Sequence, residues 1–166
     1  MSDETTAVDV STAETTGLTR ATGPRWPGGV VAGLAGAAAM ALLVSAMNRQ
    51  TLAAAIPALY ALAPPPNGAL GWVVHLSHGA VFGVGFAAPA RVTPLDFAGA
   101  QSAAVGLAYG VVLWVVAAGL LMPVWLRVVG FPSPPSVPNL APPSLLWHAV
   151  FGVVLGAVYP VAVDRL

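Results

Sequence analysis

The chain has 166 residues, 57% of them hydrophobic and 7% charged, with a mean hydropathy of +0.82 and a formal net charge of zero. Soluble domains carry about 25% charged residues, so this composition excludes a water-soluble globular domain and leaves room for one compact bundle, each spanning helix taking about 20 apolar residues. Six Arg and no Lys balanced by six acids give no basic field for a phosphate backbone, and the absence of cysteine removes disulfides, thiolate metal sites and a Cys nucleophile.

Residues 1–26 are polar and Thr-rich, with Asp3, Glu4, Asp9 and Glu14 ahead of Arg20 and Arg25, and are expected to form a disordered tail. Gly28 to Met47 is the first span. Its run of about 20 apolar residues exceeds the h-region of a signal peptide, so an uncleaved helix is expected. Arg49 to Pro66 places Leu52, Ile56 and Leu59 at helical spacing and ends in Pro64-Pro65-Pro66, which reads as an interfacial segment stopped by proline.

Gly68 to Ala90 is the second span, Arg91 to Asp96 a short turn, and Phe97 to Met122 the third span. Pro123 to Pro143 holds Trp125, Leu126 and Phe131 as interfacial candidates and carries too much proline to span. Ser144 to Val163 is the fourth. The expected fold is therefore an all-α membrane protein, a four-helix transmembrane domain over residues 27–166 with interfacial segments in its two outer loops.

Four spans return both termini to one side. That side carries Arg20, Arg25, Arg91 and Arg165, against Arg49 and Arg127 on the other, so the positive-inside rule makes the N- and C-termini cytoplasmic in a multi-pass protein of the cell membrane. Abundant Ala, Gly, Pro and Arg without Lys point to a GC-rich prokaryotic genome.

One offset of 73 residues relates His75 to His148, Gly79 to Gly152, Gly83 to Gly156 and Phe86 to Tyr159. The same offset carries Gly33-Leu34-Ala35 onto Gly106-Leu107-Ala108 and Pro65 onto Pro138. Two tandem two-helix repeats of like orientation are expected, related by an axis along the membrane normal as in parallel-repeat transporters.

At 100° per residue His75, Gly79, Phe82, Gly83 and Phe86 form one stripe, and His148, Gly152, Leu155, Gly156 and Tyr159 its counterpart. Glycine at every fourth position lets helices approach closely in lipid, which makes Gly79, Gly83, Gly152 and Gly156, with Gly106 and Gly110 on the third span, expected packing positions. The histidine face is expected to turn inward.

Ionisable side chains inside a span are functional candidates by default. From the outer helix starts, His75 lies about 10 Å deep, His148 about 6 Å and His78 about 15 Å, the last level with Tyr109. His75, His78, Tyr109 and His148 are thus the candidate intramembrane polar site. Imidazole suits Zn, Cu and Fe, so His75 and His78 with His148 are a conceivable metal set, and His75 with His148 a conceivable bis-His haem pair. Neither carries a carboxylate at that depth to orient its rings, and no cofactor is expected.

The motifs Gly71-Trp72-Val73-Val74-His75 with Gly79 and Gly83, Tyr109-Gly110-Val111-Val112-Leu113-Trp114 running to Leu121-Met122-Pro123, and Ser144-Leu145 through His148, Gly152, Gly156 and Tyr159 resemble a group of small four-span membrane proteins common in halophilic archaea and distantly similar to the YagU-like inner-membrane family. The resemblance covers residues 28–163 and implies a fold without an activity. Some relatives bear a histidine-kinase label, for which the chain has neither a Gly-rich ATP-binding module nor the space for one.

The leading functional expectation is a non-catalytic packing or interaction module in the lipid bilayer, joined to a second copy or a membrane partner and not to nucleic acid. A small-solute or proton pathway along the repeat axis is the first alternative, and a haem- or metal-binding subunit the second.

Overall fold

A computed structural model describes residues 25–89 and 99–166. The expected tail, through residue 24, and the turn expected at Arg91 to Asp96 lie outside the described residues. Among the described residues six α-helices follow one another: α1 (Trp26–Met47), α2 (Ile56–Ala58), α3 (Gly68–Ala87), α4 (Gly99–Leu113), α5 (Met122–Val128) and α6 (Pro142–Arg165). A π-helical turn, Thr51–Ala55, leads into α2, and a π-helical stretch, Trp114–Leu121, joins α4 to α5.

Among the described residues four helical rods are long and apolar enough to cross a membrane: Trp26–Met47, Gly68–Ala87, Gly99–Val128 and Pro142–Arg165. No strand occurs among the described residues. Local sequence sets several of the ends. The Asn67 side chain accepts from the Leu70 N–H at 3.0 Å and caps α3, while Pro142 and Pro143 open α6, where a missing N–H costs nothing.

The third rod runs six residues past the expected end at Met122, through Pro123. Proline inside a helix strands the carbonyl four residues back, and in lipid that carbonyl must find another donor. Here the backbone N–H of Asn139 reaches the Gly119 carbonyl at 2.8 Å. The same remedy recurs twice. Pro57 strands Ala53, whose carbonyl accepts from the Asn67 N–H at 2.8 Å, and Pro160 inside α6 strands Gly156, whose carbonyl accepts from the Ser102 hydroxyl at 2.6 Å. Each proline is tolerated because a different segment supplies the donor.

The rods form an arc in the order α3, α1, α6, α4. α1 packs on α3 and α6, α6 packs on α4, and the backbones of α3 and α4 scarcely meet. Both glycine stripes are buried at these seams, with Gly79, Gly83, Phe86, Gly152, Leu155, Gly156 and Tyr159 all inside. A Cβ on Gly33 would lie 2.9 Å from the Gly83 Cα and closer still to the Gly79 carbonyl oxygen, and one on Gly106 would lie 2.8 Å from the Gly156 Cα and closer still to the Gly152 carbonyl oxygen. Helix contact this close excludes any side chain.

Within the segment Arg49 to Pro66, expected to lie along the interface, the middle is packed into the protein and both ends are exposed. Leu52, Ala53, Ala54, Ile56 and Ala58 are buried, and the Leu52 carbonyl presses on Gly71, where a side chain would block it. Leu126, an interfacial candidate by sequence, is 0% exposed, whereas Trp125 on the same turn is half-exposed.

Candidate functional site: a histidine-lined cavity

Between α3 and α4 the arc is open, and side chains decide where it closes. In the half nearer the termini the Tyr109 hydroxyl donates to the Phe82 carbonyl at 2.9 Å. The Tyr109 ring stands 5.5 Å from Phe86, and Phe86 meets Tyr159 edge-on at 5.3 Å. These rings fill the gap with tilted and T-shaped contacts that aromatic pairs favour.

Toward the two long connections the helices part around a cavity of about 910 Å³. Its deep wall includes Ala37, Met40, Gly79, Phe82, Leu113 and Phe151, and its mouth includes Asn48, Tyr60, Trp125 and Asn139. Both π-helical stretches contribute, Thr51 and Ala55 from one and Ala117, Ala118 and Leu121 from the other. π-Turns inside helices are frequent at functional sites. Among the described residues no Arg, Asp or Glu lines the space.

All three histidines line this cavity, and each is held differently. His148 Nδ1 lies 2.7 Å from the Ser144 carbonyl oxygen one turn earlier. His78 Nε2 lies 2.7 Å from the Tyr60 hydroxyl, with the two rings 5.6 Å apart and Phe82 6.2 Å beyond. His75 is buried, its ring faced by the Ala37 backbone carbonyl and its Nε2 without a hydrogen-bond partner of good geometry.

Of the four site residues expected from sequence, His75, His78 and His148 are thus brought to one cavity, while Tyr109 is not on its wall and belongs to the aromatic closure. His78 pairs with Tyr60 and not with Tyr109, which stood at its depth by helical rise. Tyr60 escaped the sequence reading because it sits in the connection, and its only signal there was an aromatic ring ahead of a proline run. Among the described residues no group of three or more His, Cys, Asp or Glu is placed to hold a metal ion.

Tryptophans fasten the mouth. Trp125 Nε1 donates across it to the Leu59 carbonyl at 2.8 Å, joining the end of the third rod to the first connection. Trp147 Nε1 donates to Met47 Sδ at 3.2 Å and Trp114 Nε1 to Ser144 Oγ at 2.9 Å, so each indole has an apolar body in the bundle and a satisfied polar edge.

No curated protein and no solved structure matches the chain. A family model does match, over residues 25–165, which takes in the whole helical arc and every wall of the cavity: the chain belongs to DUF6789, a family of unknown function.

Proposed function

We propose that this protein is a non-catalytic module of the cell membrane that binds a small lipid-soluble molecule in the histidine-lined cavity. The observation that carries the reading is the cavity itself, about 910 Å³ with three histidines on its wall and, among the described residues, no charged side chain. Small-molecule sites are concave, mostly apolar spaces of about 300–1,000 Å³ with a few placed polar groups. The glycine seams supply a rigid frame, and the gap between α3 and α4 faces the hydrocarbon from which such a ligand would enter.

Two tandem two-helix repeats underlie this frame in our reading. The offset of 73 residues carries α1 (from Trp26) onto α4 (from Gly99), and the Gly33–Gly79 and Gly33–Gly83 approaches onto Gly106–Gly152 and Gly106–Gly156. The arginine asymmetry supports cytoplasmic termini, which puts the mouth on the outer face. Binding is favoured over passage along the repeat axis because Phe86, Tyr109 and Tyr159 fill the inner half of the gap.

The test is native mass spectrometry of protein released from membranes in mild detergent, beside an Ala117→Trp variant whose indole fills the cavity. A small apolar molecule bound one per chain in the parent and absent from the variant is the expected result. Identical spectra would sink the cavity as a binding site.

A further inference from the structure

His148 combines a fixed ring with an uncommitted atom. A backbone carbonyl can only accept, so the 2.7 Å contact to Ser144 places the ring proton on Nδ1 and leaves Nε2 of the neutral imidazole as a bare acceptor. Among the described residues no donor reaches that atom, and unlike His75 Nε2 it is not walled in. Three donors of the cavity wall are already committed: Ser144 Oγ to the Ala141 carbonyl, Trp147 Nε1 to Met47 Sδ, and Trp125 Nε1 to the Leu59 carbonyl. His78 and Tyr60 answer each other.

We infer that His148 Nε2 accepts a hydrogen bond from the hydroxyl of an uncharged, lipid-soluble alcohol or phenol whose apolar body fills the cavity between α3 and α4. The inference rests on the cavity reading above and adds the ligand's chemistry. A carboxylate or phosphate would meet a bare acceptor and no cation. A molecule carrying only carbonyl oxygens would bring a second acceptor to the same nitrogen. A metal ion would find no grouped set of ligands there. In hydrocarbon, where neither partner has water as an alternative, a hydroxyl offered to a lone imidazole nitrogen is the match that leaves neither group unpaired.

The probes are 4-octylphenol and its methyl ether, which share an apolar body and differ in the donor, titrated into the full-length protein in phosphatidylcholine nanodiscs. Trp125 and Trp147, both on the cavity wall, report binding by fluorescence, and ¹⁵N-histidine NMR reports the ring nitrogens. Saturable binding of the phenol at least tenfold tighter than the ether is expected, with an Nε2 shift at His148 for the phenol alone. His148→Leu should equalise the two affinities while the ether still binds.

Equal affinities in the parent protein, or an unmoved Nε2 resonance under saturating phenol, would overturn the assignment of His148 while leaving the cavity as a site. Saturable binding of neither probe would overturn the cavity reading with it. The NMR arm needs no variant, so a misfolded His148→Leu does not rescue the proposal.

Discussion

The Ser102 hydroxyl donates at 2.6 Å to the Gly156 carbonyl, the group that Pro160, four residues on, has no N–H to meet. Ser102 is 0% exposed, so without it that carbonyl would be buried and unpaired. Ser102→Ala should destabilise the bundle by about 1–3 kcal/mol, the cost of an unsatisfied buried acceptor. In a Pro160→Ala background the helix supplies its own N–H and the serine becomes dispensable, so the same substitution should cost under about 0.5 kcal/mol. Reversible denaturation of the four proteins in detergent measures the coupling, and equal costs in both backgrounds would refute the account. Residues 73 positions earlier fit this logic, since Gly29 stands where Ser102 does and Ala87, which has an N–H, where Pro160 does.

Gly33 and Gly106 hold one close seam each, and a methyl on either would overlap the backbone of the facing helix. Gly33→Ala and Gly106→Ala should each destabilise by about 1–3 kcal/mol, as overpacked cores do. Gly68 opens α3 with nothing within 4 Å of its Cβ position, so Gly68→Ala should be neutral. Thermal unfolding of the three variants separates seam packing from a general intolerance of substitution. On the repeat reading the two seam losses should agree within about 1 kcal/mol.

Tyr60 and His78 tie the first connection to α3 at 2.7 Å. Since the contact is open to the cavity mouth, a double-mutant cycle of Tyr60→Phe and His78→Leu should give a coupling of about 0.5–1.5 kcal/mol and no more. A coupling near zero would mean that the hydroxyl and the ring do not bond in the membrane.

Hydropathy and spacing made four rods, the buried glycine stripes and the three histidines of the cavity wall legible in the sequence. Spacing works because a helix face is a local property, repeated every 3.6 residues. What escaped was non-local. Pro123 reads as a helix end unless Asn139 is known to supply the Gly119 carbonyl, and Tyr60 reads as a loop residue unless the connection is known to fold back onto His78. The cavity was illegible for the same reason, because it is bounded by helices that part, and sequence patterns record faces and not gaps.

Orientation is the remaining expectation that one measurement decides. By sequence Arg49 and Arg127 are expected on one side and Arg20, Arg25, Arg91 and Arg165 on the other, and on that expectation the positive-inside rule weights the second as cytoplasmic. The chain has no cysteine, so a single introduced thiol reports its side without background. Ser133 in the second connection and Leu166 at the C-terminus are both exposed, and neither makes a hydrogen bond that a thiol would break. In intact spheroplasts a membrane-impermeant maleimide should label Ser133→Cys directly and Leu166→Cys only after lysis. The reverse pattern would invert the protein and move the cavity mouth to the cytoplasmic face. Labelling of both from outside would mean that α6, the one span between them, does not cross the membrane.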